Sequence, residues 1–450
     1  MRHVSRNTLL IVLVAFLLVV GTTQLLRALS DDPSIQVQFR AAISHPNLLS
    51  GKLQTTYIKV DLTGFEIEQP EQRAPVNIAL VLDKSGSMNG RKLQQAKKAA
   101  IMAIKRLGPG DIVSVVAYDN TTEVLVPATE VVDKRAITER IRSLRAHGGT
   151  ALYAGVHKGA ETLNAYLDAN RVNRVILLSD GEANEGPSTP TELGELGATL
   201  SREGITVTTI GLGLSYNEDL MTQLAQRSDG NHSFVEHVDD LAHIFDQEFG
   251  DVLSVVAQDV TVTIDCNEGI RPVRVLGRDA EINDRQVTVA LNQLYSKQDK
   301  YIVLEVETTP TATSGKQDVA RVTTSYANML THSTEVLTQS ISAQITESEE
   351  EVKKNIDKEA MVAAVEQQGI INEEKAILLR DQGRHEEAEQ MLQENAAFLE
   401  DEAALYEADE LYMGARKSRE AASNLDDQQW NRQRKTMRSD HYRTKSQQKY

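Results

Sequence analysis

The chain has 450 residues, of which 40% are apolar, 25% charged and 4% aromatic, with 26 Gly and 10 Pro. That length accommodates two or three domains with full cores, and the composition excludes collagenous, wholly disordered and multi-span membrane chains. A lone cysteine, Cys266, excludes an internal disulfide framework and a Cys-rich zinc site. The net charge of −17 is unevenly spread: residues 347–410 carry 20 acidic and 6 basic side chains, whereas 431–450 carry seven Lys/Arg against Asp440 alone. An acidic body repels nucleic acid, so none is expected as a partner.

At the amino terminus Arg2 and Arg6 precede an unbroken apolar run at 9–20, and Asp31 and Asp32 follow it. Positive charge before and acid after direct the rest of the chain outward. The run has signal-peptide length, with Ala28-Leu29-Ser30 as a small-x-small cleavage site. The uncharged stretch 7–26 is equally long enough to span a bilayer of roughly 30 Å. Residues 1–30 therefore read as a signal peptide or a membrane anchor, with the bulk of the chain extracytoplasmic. An uncleaved segment would make the membrane a partner.

Residues 33–74 and 251–346 alternate with period two and are rich in Val, Thr and Ile, the pattern of antiparallel strands. Because a lone two-stranded piece is marginal, these two stretches are expected to form one β-sandwich. Between them, 75–250 switches between short apolar runs and amphipathic stretches, the pattern of a parallel-rich sheet wrapped by helices on both faces. Strands are expected at 76–82, 112–118, 172–178, 205–210 and 233–236. Helices are expected after 90, with Leu93, Ala96, Ala100, Ile104 and Leu107 on one face, and at 134–145, 151–168, 190–203, 217–227 and 238–249.

Beyond the β-rich stretch, 347–420 reads as an acidic helical hairpin broken at Gln382-Gly383, with Ala388, Leu392, Leu399 and Tyr406 as a thin apolar stripe. The segment 376–389 looks like part of one tetratricopeptide repeat, but a solenoid needs about three repeats to bury its faces. Residues 421–450 read as a basic disordered tail. Trp430 there lacks the aromatic neighbours that a single-stranded nucleic-acid platform needs.

Chemistry concentrates on three loops of the α/β unit. Asp83-Lys84-Ser85-Gly86-Ser87-Met88 follows the first apolar strand, His147-Gly148-Gly149-Thr150 opens a helix, and Ser179-Asp180-Gly181-Glu182 ends another buried strand. In open parallel sheets ligands bind beyond the carboxyl ends of the strands. Each residue taken singly is explained by helix capping or turn chemistry. Together, Asp83, Ser85, Ser87, Thr150 and Asp180 supply only hard oxygens, which suit Mg²⁺, Mn²⁺ or Ca²⁺ rather than zinc or copper. His147 has no nucleophile and carboxylate at triad spacing, and no phosphate-cradling loop is evident, so an enzyme is not expected and no catalytic residue is assigned.

These five residues resemble the metal-ion-dependent adhesion site of von Willebrand factor A domains, a likeness covering about residues 75–250. The resemblance implies a Rossmann-like α/β fold, direct metal ligation by Ser85, Ser87 and Thr150, and direct or water-mediated ligation by Asp83 and Asp180. It further implies a protein partner that presents an Asp or Glu to the metal. The whole layout is also similar to bacterial proteins described as like calcium-activated chloride channels or inter-alpha-trypsin inhibitor heavy chains, although nothing in the sequence implies conduction or inhibition. A different reading makes the chain an envelope scaffold that acts through its acidic helices, with the metal site only ordering loops.

Overall fold

The computed structural model describes residues 36–67, 73–309, 314–446 and 448–449. Residues 1–30, read above as signal or anchor, lie outside that set. No helix among the described residues is long and apolar enough to cross a membrane.

Three strands come first: β1 (Gln38–Ile43), β2 (Asn47–Leu49) and β3 (Gln54–Thr63). The α/β unit then runs β4 (Val76–Asp83), α1 (Arg91–Arg106), β5 (Ile112–Tyr118), β6 (Thr122–Glu130), α2 (Lys134–Arg142), α3 (Leu152–Leu163), β7 (Val172–Ser179), α4 (Pro190–Arg202), β8 (Thr206–Leu212), α5 (Glu218–Arg227), β9 (His232–Val235) and α6 (Leu241–Val252). Its six strands lie in the order β6-β5-β4-β7-β8-β9, and all pairs are parallel except β5 with β6. Every residue of β4, β5, β7 and β8 is buried, as expected of strands covered on both faces. Ile78, Leu80 and Leu82 face α1 and α6, while Ala79 and Val81 face α3, α4 and α5.

Strand β6 has no counterpart among the expected elements. It is a half-exposed edge strand whose apolar stretch, Val124-Leu125-Val126-Pro127-Ala128, contains a proline and is flanked by Thr and Glu, so it does not read as a buried strand. The sheet order reverses between β4 and β7, because the chain builds β4, β5 and β6 outward on one side and then returns to β7 on the other. That reversal is the switch point at which open α/β sheets form a crevice.

Helix α3 lies unusually near the sheet. A Cβ at Gly159 would sit 2.4 Å from Val81 Cγ2, and one at Gly155 would sit 2.8 Å from the Tyr118 ring. Only glycine permits this approach, and it fixes the start of α3, two residues beyond Thr150, against the sheet.

Downstream strands β10 (Val255–Cys266), β11 (Ile270–Leu276), β12 (Glu281–Asn283), β13 (Gln286–Tyr295), β14 (Asp299–Thr308), β15 (Gly315–Asn328) and β16 (Ser333–Thr346) form two sheets with β1 to β3. One sheet has the order β1-β3-β14-β11 and the other β12-β13-β10-β15-β16-β2. Strand β3 pairs antiparallel with β14 from Thr63 opposite Asp299 to Gln54 opposite Thr308, and β2 lies parallel to the end of β16. Strands on either side of the α/β unit thus share both sheets around one apolar core, which includes Ile58, Val60, Val262, Val289 and Leu304. Arg174 of β7, fully buried, joins the two units. It donates to Thr206 Oγ1 at 2.8 Å and to Gln293 of β13, and its guanidinium lies 5.6 Å from the Tyr295 ring centroid.

The carboxy-terminal part is α7 (Glu349–Lys354), α8 (Lys358–Asp381), α9 (His385–Tyr406), α10 (Asp409–Ser423) and α11 (Asp427–Lys445), then the short strand β17 (Gln448–Lys449) on β14. Residues 347–420, expected as a hairpin, hold four helices. The two long ones, α8 and α9, turn at Gln382-Gly383, where Gly383 takes φ +79. Ala388, Leu392, Leu399 and Tyr406 are buried on α9 as their spacing predicts. Ala363 and Ala364 of α8 pack on Leu276, Tyr301 and Val303 of the sandwich.

The expectation of a disordered tail at 421–450 is overturned by α11, which spans 19 residues. Trp430, Met437 and Tyr442 are buried along it, and its cations meet carboxylates that lie far off in sequence. Arg434 binds Glu218 and Asp219 of α5 together with Asp381 of α8, and Lys435 binds Glu218. Tyr442 donates to the Gly230 carbonyl. The local charge run suggested a solvated end because those acids are invisible from within it.

Candidate metal centre

Strand β4 ends on Asp83 and β7 ends just before Asp180, so the two strands flanking the switch point each deliver a carboxylate to the crevice. Both side chains are fully buried. Asp83 Oδ1 accepts the Ser85 amide at 2.8 Å and Oδ2 accepts the Ser179 hydroxyl at 2.7 Å. Burial pushes the Asp83 carboxyl above its usual range, the hydrogen bonds from Ser85 and Ser179 pull against that, and the Asp180 charge adds to the rise. A cation between the two carboxylates would relieve this cost.

The hydroxyls follow. Ser85 Oγ lies 3.0 Å from Ser87 Oγ, and Ser87 Oγ donates to Asp180 Oδ1 at 2.7 Å. Thr150 is buried at the start of α3, and its amide donates to Asn184 Oδ1 at 2.7 Å. Gly181 lines the space between: a Cβ there would lie 3.5 Å from both Ser87 Oγ and Thr150 Oγ1. The first and second loops are joined by backbone, Gly86 N–H to Gly148 O at 2.9 Å and His147 N–H to Lys84 O at 2.8 Å. Gly148 is required, since φ is +78 and a Cβ would meet Asn120 Oδ1 at 2.3 Å. All five residues singled out in the sequence therefore converge on one crevice.

This donor set is two carboxylates and three hydroxyls. No group of three or more His, Cys, Asp or Glu that could hold a metal occurs among the described residues. Paired buried carboxylates, with hydroxyls already directed at them, fit a hard divalent cation.

Three further residues shape the site and were not assigned a role from sequence. Ser179 holds Asp83; it is part of the third loop, and only its contact reveals its duty. Asn184 anchors the Thr150 backbone. Lys92, on the first turn of α1, forms an ion pair with Asp180 Oδ2. Lys84, inside the first loop, turns aside to Asp119 Oδ2 at 2.6 Å, and His147 Nδ1 reaches the same oxygen at 2.7 Å. Burial raises the Asp119 carboxyl, but the hydrogen bonds from Lys84 and Thr121 outweigh it and hold the group below its usual range. His147 is thus part of a loop-bracing cluster.

With that geometry in view, the family model for the von Willebrand factor type A domain matches residues 77–247. Residues 77–247 are a von Willebrand factor type A domain. Among curated relatives, an uncharacterized Synechocystis protein, sll0103, is 35% identical over 179 residues, 40% of this chain and 42% of that protein. Inter-alpha-trypsin inhibitor heavy chains and a bovine calcium-activated chloride channel regulator also match, over at most 26% of their own length. The chain thus spans less than half of these relatives.

Solved structures extend the likeness beyond the A domain. A von Willebrand factor type A protein from Catenulispora acidiphila superposes with a TM-score of 0.70 at 18% identity, covering 84% of this chain and 89% of that one. The ArnB paralog VWA2 from Sulfolobus acidocaldarius gives 0.63 at 19% identity, covering 91% and 98%. At such identities the shared property is the fold: an A domain together with flanking strands and helices.

Proposed function

We propose that this protein is a metal-dependent, adhesion-type binding module that captures an acidic side chain of a partner protein. The observation that carries the reading is the convergence of Asp83, Ser85, Ser87, Thr150 and Asp180 on the crevice between β4 and β7. These residues would hold a divalent cation, Mg²⁺ in the first instance and Mn²⁺ or Ca²⁺ by the same chemistry. A cation held largely by neutral hydroxyls keeps its electrophilic character and can accept a carboxylate from outside. The chain's own part is positional. Ser179 and the Ser85 amide orient Asp83, Asn184 fixes the start of α3 behind Thr150, and exposed Ser87 brings its hydroxyl to Asp180 at the rim.

We further propose that the module has no enzymatic activity. The neighbouring imidazole, His147, is committed to Asp119, and activating water at a hydroxyl-rich site calls for a free base. Export or membrane anchoring is part of the same proposal and is supported by Arg2, Arg6 and the apolar run at 9–20.

The test is affinity capture from envelope extract of the source organism with the full chain as bait, in Mg²⁺ and then in EDTA, with Asp180→Ala as control. A partner retained only with Mg²⁺ and intact Asp180 is expected. A partner indifferent to both would overturn the reading and move the function to the acidic helices.

A further inference from the structure

The two carboxylates of the crevice are not equivalent. Asp83 is satisfied by neutral donors only, the Ser85 amide and the Ser179 hydroxyl. Asp180 is fully buried, and its oxygens are divided between Ser87 Oγ on Oδ1 and the Lys92 ammonium on Oδ2. Lys92 reaches in from outside: it is the second residue of α1, whose first turn contains no acid, and its side chain is about one-third exposed. Gly90, with φ +80, precedes the first residue of α1 and follows directly on the turn that carries Ser85 and Ser87. The element that follows the hydroxyl ligands therefore also supplies a tethered cation to their carboxylate.

Resting on the metal-site reading above, we propose that Lys92 is an internal competitor for the metal and sets the affinity of the site. In the metal-free protein its ammonium neutralises Asp180, and a divalent ion that takes Asp180 as a ligand must displace it. The cost of that exchange has two parts. One is the lost ion pair to a buried carboxylate. The other is the repulsion between a divalent ion and an ammonium that remains tethered at the rim.

Lys84 does not share this role, although it lies between the two motif residues in sequence. Its ammonium is 2.6 Å from Asp119 Oδ2 on the far side of the loop and stays paired whether or not Asp180 changes partner. The charge arithmetic supports the assignment. Asp83, Asp180 and Lys92 sum to −1, so entry of a divalent ion leaves +1 at a site whose rim includes exposed Ser87. A carboxylate from a partner would cancel that excess. The same lysine that weakens metal binding thus leaves the loaded site attractive to an anion.

The experiment is isothermal titration calorimetry of Mn²⁺ into the full chain as wild type, Lys92→Met, Lys92→Arg and Asp180→Ala. Lys92→Met is expected to bind Mn²⁺ about tenfold more tightly, because the partly exposed ion pair no longer has to be broken. Lys92→Arg, which retains the charge, is expected to bind no more tightly than wild type. Thermal melts give a second readout. In EDTA Lys92→Met should melt below wild type, and saturating Mn²⁺ should erase or reverse the difference. Wild-type binding lost in Asp180→Ala but unchanged or weakened in Lys92→Met would overturn the role of Lys92 while leaving the metal site standing. Absence of binding in wild type and in both Lys92 variants would overturn both.

Discussion

Helix α11 is held to the A domain by a charge cluster whose members are unequally dependent on one another, and the perturbation that isolates this is Glu218→Gln. Glu218 is buried and accepts from both Arg434 and Lys435. Arg434 would retain Asp219 at 2.6 Å and Asp381 at 3.0 Å. Lys435, whose side chain is 3% exposed, would retain only the Tyr216 carbonyl at 2.6 Å and the face of the Tyr216 ring, 4.5 Å from its centroid. The loss therefore falls on one buried ammonium without a counter-charge, a change that typically costs about 3–5 kcal/mol.

The helix has an escape, because it can leave the A domain and hydrate Lys435. The free energy of docking then caps the cost. Trp430, the single tryptophan of the chain, reports that escape directly: it is buried on α11, with Nε1 donating to Asp381 at 3.1 Å. Urea titrations followed by Trp430 emission and by far-ultraviolet circular dichroism are expected to separate in Glu218→Gln, with a red shift of Trp430 preceding loss of the bulk helical signal. Adding Lys435→Met removes the stranded charge, so the double variant should recover most of the loss. A Glu218→Gln protein with wild-type midpoints, or a double variant no better than the single, would refute the reasoning.

Other outcomes follow from the same structure. Gly159→Ala puts a Cβ 2.4 Å from Val81 Cγ2 and should cost about 1–3 kcal/mol by overpacking, read as a lowered urea midpoint, with weaker metal binding because α3 carries Thr150 at its start. Burial, assisted by the Glu248 charge and opposed by Arg174, pushes the Asp251 carboxyl up to about 7. A raised carboxyl means that the native state binds the proton more tightly than the unfolded state. Its stabilising contribution is therefore complete below about pH 4 and lost as pH rises through about 7. Asp251→Asn should flatten the decline in melting temperature across that window. Burial also pushes the Cys266 thiol up to about 11, so at pH 8 it should react with a thiol reagent only after denaturant is added. Prompt modification of the native protein would contradict its place in the sandwich core.

What could be read from the sequence was whatever local pattern determines. The buried strands β4 and β7 announce themselves as apolar runs because both faces are covered, and the loops that follow them carry an Asp and hydroxyls at spacings visible by eye. The edge strand β6 is less legible, since its apolar stretch at 124–128 is broken by Pro127 and only Val126 of the strand is buried. The tail is illegible for a different reason. Its cations look solvated until Glu218, Asp219 and Asp381, all distant in sequence, are brought against them. Lys92 was hidden likewise, because its position nine residues beyond Asp83 says nothing of Asp180 until β4 and β7 lie side by side.

The pairing of β3 with β14 dictates an order of assembly. Thr63 and Asp299 are 236 residues apart, so during synthesis the opening hairpin must wait, its edge unsatisfied, while the A domain and much of the following sheet emerge. The A domain needs no such patience, since all six strands of its sheet lie between residues 76 and 235 and it can close while the ribosome is still working. Helix α11 is made after the A domain and after α8, and it reaches back to both. A chain truncated before residue 427 would thus have its A domain built but lack the clasp that fastens α8 to α5.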